Sequence, residues 1–377
     1  MKAKRLAALL LTAVLGVSIL TGCGTGIDAK KTGATLDGQE ISLGFMNFMA
    51  KYQQAIYDGQ FSAMFGDADI WSQDMAGDGT DMETSVKKNV TESVEQFYLL
   101  EKHMADYKVE LTDDEMKAMD EAAKKFMEDN SKQAIKQIGA TEEYVKEMLR
   151  LNTIQAKMRA EMDKEVDTEV TDEEAAQKTI SYVSVNKNST TDEEGNTQEY
   201  TEEQKAEIEQ NVKDFRKAAK DDFNAAAEAA GYTVTPYSYG KNDESNTLDA
   251  AVMEAADKLK DGKLSKVIST EDSYYVVRMD STFDEEKTAE KKKSIVQQRK
   301  DDHFKEVCDG YKEGVTFELN EDEWAKVRFE DRFTIKQTES DDAQDASATE
   351  DSSGTEDSAD TEDSADGEKD ADASDSE

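Results

Sequence analysis

The sequence predicts an α+β chain that is mainly helical. Proline occurs once in 377 residues, at Pro236, and Ala, Glu, Lys and Met are abundant. A chain with few breakers and many straight-chain residues favours helix. Thr-x-x-Glu and Thr-x-x-Gln sequences precede apolar positions spaced three and four apart, which is how capped amphipathic helices begin. From about residue 178 the texture changes to short β-rich runs alternating with helical ones. The length gives room for two domains of ordinary size.

The elements follow in order. Lys2, Lys4 and Arg5 precede a 15-residue uncharged, mostly apolar run, Leu6 to Leu20. As a helix it would reach about 22 Å, short of the roughly 30 Å of a bilayer core, so residues 1–22 read as a signal peptide. Residues 23–33 are a short linker. Ala34 to Ile41 is a hairpin signal with Asp37-Gly38 at its turn. Phe45, Phe48, Tyr52 and Ile56 mark a helix, and Val86, Val90, Val94 and Phe97 a second. Residues 66–80, with Gly66, Gly77 and Gly79, are loop-like. Thr112 to Glu115 is a capping box with Leu111 and Met116 as its staple, and Thr171 to Glu174 repeats it. Between them Thr141 caps a helix carrying Val145, Met148, Ile154, Met158 and Met162. Met at such spacing is core, although Met also makes adaptable binding surfaces.

Ile180 to Val185 reads as a strand. A polar loop with Gly195 follows. Thr201 to Gln204 opens a helix carrying Ile208, Val212, Phe215, Ala219 and Phe223, with Gly231 as its C-cap. Tyr232 to Val234 is extended. Leu248 to Lys260 is a helix ending near Gly262, and Val267-Ile268 and Tyr274 to Met279 are strands. Glu285 to Tyr311 is a long helix, and Val315 to Ile335 adds extended pieces around Trp324. These elements divide the chain into 34–170, 171–283 and 284–338. From Glu339 to Glu377 there are 17 acids, one lysine and no apolar side chain larger than Ala. Thr-Glu-Asp-Ser-Ala-Asp occurs there twice in succession, at 355–360 and 361–366. Such a tail is expected to be disordered, because it cannot offset its chain entropy by burial.

Charge and composition exclude several function classes. The 86 acids and 46 bases leave −40 at pH 7. With −16 in the tail and +3 in the first 22 residues, residues 23–338 carry −27. That excess repels phosphate backbones, so nucleic acid is not an expected partner. Two cysteines, Cys23 and Cys308, make no disulfide framework or zinc site, and His103 and His303 are 200 residues apart. There is no Gly-rich phosphate loop, and no cofactor is expected.

Leu20-Thr21-Gly22-Cys23, behind the apolar run, resembles a bacterial lipobox. That resemblance implies lipid attachment at Cys23 and a protein held on the outer face of the cytoplasmic membrane, since two acyl chains anchor where one barely does. Further resemblance lies in Leu36-Asp37-Gly38-Gln39-Glu40-Ile41-Ser42 and in the openers Val109 to Glu115 and Glu169 to Glu174. It is strongest in Leu259-Lys260-Asp261-Gly262-Lys263-Leu264-Ser265 followed by Tyr274-Tyr275-Val276-Val277-Arg278-Met279. In these stretches the chain resembles the PrsA-type foldase lipoproteins and their SurA-like relatives. The resemblance implies a helical SurA/PrsA-like chaperone domain, 34–170 completed by 284–338, plus a parvulin-like four-stranded α/β domain, 171–283. Unfolded or nascent secreted polypeptides are the implied partners.

Active parvulins are similar to one another in two histidines on central strands, near a cysteine or aspartate and an apolar proline pocket. Here no histidine lies between His103 and His303, and no cysteine between Cys23 and Cys308. Laid over the family, Tyr182 and Tyr275 stand where the histidines would be. Leu248, Val252 and Asp257 stand where the pocket has Met, Phe and Phe. Tyr182, Leu248, Val252 and Tyr275 are thus the candidate peptide-binding residues, and no catalytic residue is assigned. The reading is a surface-anchored chaperone whose parvulin-like domain binds peptide and is catalytically weak. Two alternatives are an active peptidyl-prolyl isomerase of the same architecture and a solute-binding lipoprotein, which would show two similar lobes of alternating strands and helices.

Overall fold

Asp37 and Gly38 both take positive φ, 48° and 83°, and fold the hairpin of β2 (Thr32–Leu36) and β3 (Gln39–Ser42). This left-handed pair is the turn an Asp-Gly dipeptide favours. The computed structural model describes residues 13–17, 26–65, 69–191, 197–241, 243, 247–330 and 332–337. Cys23, most of the apolar run, Gly195 and the acidic tail lie outside them. Residues up to Lys336 form one unit; of the second, Gln337–Glu377, only Gln337 is described.

The remaining elements follow in chain order. β1 (Ala13–Val17) precedes the hairpin, and five helices follow it: α1 (Leu43–Phe65), α2 (Met82–Lys102), α3 (Asp113–Asp129), α4 (Lys132–Ile138) and α5 (Glu142–Met162). Then come α6 (Asp172–Ala175), β4 (Gln177–Asn186), β5 (Ser189–Thr191), β6 (Thr197–Glu199), α7 (Glu202–Ala218), α8 (Phe223–Ala230), β7 (Thr235–Gly240), α9 (Ala250–Asp257), β8 (Ile268–Ser269) and β9 (Ser273–Ser281). The chain continues through α10 (Glu285–Lys312), β10 (Phe317–Leu319), α11 (Glu321–Trp324) and β11 (Phe333–Gln337), which pairs with β1.

The capping sequences do what their spacing predicts. Thr112 Oγ1 accepts the Glu115 N–H at 3.2 Å while Glu115 Oε2 accepts the Thr112 N–H at 2.8 Å. Thr201 and Gln204 close the same box at 3.3 and 2.9 Å. Thr141 Oγ1 caps α5 through the Tyr144 N–H. Thr171 Oγ1 likewise takes the Glu174 N–H, but α6 runs for a single turn. Arg299 Nη2 donates to the Glu174 carboxylate at 2.6 Å, tying α6 to α10.

Three expectations need correction. The helix expected from Thr201 to Gly231 is two helices, α7 and α8. Asp222 Oδ1 accepts the Ala225 N–H at 3.0 Å and caps a new start. The break lets Phe223 meet Phe215 edge-on at 5.5 Å. The extended segment begins at Thr235 rather than Tyr232 and runs through Pro236. A sheet tolerates that residue at an edge, where no N–H is required. Trp324 ends a short helix, α11, instead of sitting among extended pieces.

The main core joins α1 to α5 with residues from the far end of the chain, including Trp324, Val327, Phe329 and Phe333. β10 pairs antiparallel with β2, placing Phe317 opposite Leu36. Both termini of this body therefore share one small sheet and one core. Phe304 and Cys308 of α10 pack with Ile154, Met158 and Met162 in a second cluster. The four-stranded sheet has the order β7-β4-β9-β8, with antiparallel neighbours throughout. Its two faces carry separate apolar clusters. Val183 and Val276 pack against Val212, Phe215 and Phe223 of α7 and α8. Ile180, Val277 and Met279 pack against Val252 and Ala256 of α9.

Candidate functional site

Alternation along β4 and β9 decides which side chains can meet. Tyr182 lies opposite Val277 and Ser184 opposite Tyr275, so the two tyrosines are diagonal neighbours on one face. Their ring centroids are 5.9 Å apart with planes tilted by 46°. Both rings are partly buried. Neither hydroxyl has a hydrogen-bond partner among the described residues. Ile268 of β8 is paired with Tyr275 and joins the same apolar cluster.

The structure gathers Tyr182, Leu248, Val252 and Tyr275 into this one cluster. Their exposures differ. Leu248 is partly buried at the approach to α9, whereas Val252 is fully buried at 0% exposure. Val252 therefore backs the wall from beneath and offers no surface to a ligand in this conformation. Asp257, at the exposed C-terminal end of α9, also turns away from an apolar role. It accepts from Lys178 Nζ at 2.6 Å and from the Tyr239 hydroxyl at 3.1 Å. The Lys178 ammonium meets a carboxylate that the adjacent helix C-terminus disfavours. Burial, then the Asp257 charge, raises the Tyr239 hydroxyl above its ordinary pKa.

Two further tyrosines of this face were not singled out from the sequence. Tyr237 and Tyr239, on alternate positions of β7, stack at 6.1 Å between centroids. The alternation Tyr-Ser-Tyr was the available signal, and the neighbouring Pro236 obscured it. The Tyr237 hydroxyl accepts the Thr247 N–H at 3.3 Å.

Both histidines lie on other elements. The His103 ring, next to α2, stacks on Tyr311 at 3.7 Å, and its Nδ1 is 2.7 Å from Asp106 Oδ2. His303, on α10, faces Glu165 at 3.3 Å. The tyrosine face thus presents hydroxyls over an apolar floor. Such a surface can hold a peptide by hydrogen bonds and contact; it offers no imidazole or thiol for proton transfer. Among the described residues no group of three or more His, Cys, Asp or Glu is placed to hold a metal ion. No helix among them is long and apolar enough to cross a membrane.

Residues 182–293 match the family model of the PPIC-type PPIase domain. No curated protein matches the chain. Among solved structures it is similar to the foldase protein PrsA of Lactococcus lactis, with 18% identity, a TM-score of 0.29, and coverage of 79% of this chain and 97% of that one. PrsA of Streptococcus pneumoniae gives 21% identity and a TM-score of 0.27 over 63% and 91% of the two chains. A SurA-like chaperone of Campylobacter jejuni gives 10% identity and a TM-score of 0.26 over 76% and 98%. The family-model match thus identifies residues 182–293 as similar to a PPIC-type PPIase domain.

Proposed function

We propose that this protein is a foldase on the outer face of the cytoplasmic membrane, anchored by lipid at Cys23, that holds unfolded secreted polypeptides. In this reading the parvulin-like domain binds peptide but isomerises proline poorly. The observation that carries it is a mismatch within one domain. Residues 182–293 match an isomerase family, yet no histidine or cysteine lies in 171–283, and the partly buried Tyr182 and Tyr275 occupy the sheet face. Val252 and Asp257 stand where the family has an aromatic wall for the proline ring. Burying that ring against Phe contributes about 1–3 kcal/mol, roughly ten- to hundredfold in affinity, and most of it is forfeited here.

A second reading, an active isomerase, is favoured by the family match itself. Twisting an Xaa-Pro amide over its barrier of roughly 18–20 kcal/mol requires desolvation and positioning but no nucleophile. A protease-coupled assay on a short Xaa-Pro peptide, run beside an aggregation assay on an unfolded client, separates the two. The foldase reading expects slowed aggregation at stoichiometric levels and an isomerisation rate close to the spontaneous one. Strong proline-selective catalysis establishes the second reading instead.

A further inference from the structure

β7 is an edge strand of the four-stranded sheet, and its outer edge, unpaired with any other strand among the described residues, faces α10 across a cavity of about 730 Å³. The cavity is lined by Tyr237 and Ser238 on one side and by Ser294, Ile295 and Gln298 on the other. Adjacent residues of a strand point to opposite faces of its sheet. A cavity touched by both Tyr237 and Ser238 therefore opens onto the edge itself.

The backbone there is oriented for a further strand. The Gly240 N–H donates to Asp243 Oδ2 at 2.6 Å, away from β4. Two residues back, the same orientation turns the Ser238 N–H and C=O outward, and Pro236, the next in phase, contributes its carbonyl. Among the described residues these groups have no backbone partner outside the sheet. An extended residue in a sheet fills about 3.3 by 4.8 by 10 Å, so the cavity holds about four of them. Side chains of the facing helix, Ser294 and Gln298, can bond to main chain whatever its sequence.

Resting on the foldase reading, we infer that the β7 edge and the facing side of α10 form a second peptide site, which takes an extended client segment by strand addition and favours neutral or basic sequences over acidic ones. The charge preference comes from the walls. Glu174, Asp243 and Asp302 line the cavity; Lys291, 2.5 Å from Asp243, offsets one of these charges and Arg299, bound to Glu174 at 2.6 Å, a second, which leaves Asp302 in excess. The −27 carried by residues 23–338 acts in the same direction. Main-chain pairing suits a holder of unrelated chains, because every polypeptide presents the same donors and acceptors.

The test uses the full chain and fluorescence anisotropy of three labelled ten-residue peptides. One alternates Thr with Lys, the second is the same peptide N-methylated at alternate residues, and the third has Glu in place of Lys. The N-methylated and the Glu peptides are expected to bind about tenfold more weakly than the first. Ser238→Pro, which removes the outward N–H, should weaken the first peptide about tenfold. Ser294→Trp, an exposed helix position, fills the cavity from the other wall without touching the sheet and should do the same. Equal binding of the N-methylated peptide, or unchanged affinity in Ser294→Trp, overturns the site. Aggregation of an unfolded client is followed in parallel. If aggregation is slowed while both variants bind normally, the edge site falls and the foldase reading stands. If aggregation is not slowed, the foldase reading falls and the N-methylation comparison alone decides the edge site.

Discussion

The Asp58 carboxylate in α1 accepts the backbone N–H of Phe333 at 3.0 Å, across 275 positions of sequence. Its other oxygen takes Trp71 Nε1 at 2.9 Å. Lys51 Nζ, about two turns earlier on the helix, donates to Gln54 Oε1 at 3.1 Å and to the Arg328 carbonyl. Asp58 is only 4% exposed, so its charge persists by virtue of these donors. The segment after α11 is thereby fastened to α1, and Phe329 meets Trp71 edge-on at 4.7 Å between ring centroids.

Asp58→Ala should destabilise the protein by about 3 kcal/mol, because it leaves the Trp71 and Phe333 donors buried and unpaired. Urea unfolding measures this. A loss below about 0.5 kcal/mol would mean that the end segment detaches from α1 at little cost.

Asp58 also makes stability depend on pH. Burial lifts its carboxyl above the ordinary value, while the Phe333 N–H, Trp71 and the charges of Arg332 and Lys51 pull it down less strongly. The folded state then binds more protons than the unfolded one between the ordinary and the raised value. The contribution is fully present below the unfolded pKa of about 3.9 and is lost as pH rises through the folded one. Relative to Asp58→Asn, the wild type should lose stability as pH is raised from about 4 towards 7. Denaturation midpoints of both proteins across that range check the sign, and a gap that widens in favour of the wild type contradicts it.

Tyr182→Phe and Tyr275→Phe should each leave stability within about 0.5 kcal/mol, since neither hydroxyl has a partner among the described residues. Peptide affinity should fall severalfold if those hydroxyls meet a bound backbone. Titration calorimetry with an unfolded client peptide reads this directly, and undiminished affinity in both variants leaves the tyrosine face without a role in binding.

Cys23→Ser should release the protein from membranes or leave it as an unprocessed precursor. Fractionation followed by mass measurement of the N-terminal peptide distinguishes the two. Mature, membrane-bound Cys23→Ser protein would remove the lipobox from the account.

What was legible in the sequence is what closes within a few residues. The Thr112 and Thr201 boxes and the Asp37-Gly38 turn each need only partners at most three positions away, so their spelling suffices. Asp222 was equally well spelled as a cap. The apolar spacing of Phe215, Ala219 and Phe223 read straight through it, because one helix and two helices in succession produce nearly the same pattern. β7 was displaced in the reading by Pro236, whose meaning depends on whether its strand is central or at an edge.

The sequence by itself determined the local starts and turns, the alternation that places Tyr182 and Tyr275 on strands, and the lack of imidazole and thiol from 171 to 283. Only the tertiary structure decided that Tyr182, Leu248, Val252 and Tyr275 share one cluster, that Val252 is hidden within it, and that the outer edge of β7 faces α10. It also decided that Asp58 meets Phe333. The physical reason is the range of the forces. A cap or turn is chosen by hydrogen bonds that a short peptide can already make. Contacts between distant segments are chosen by the burial of whole apolar faces, which is non-directional and records no partner in the local sequence.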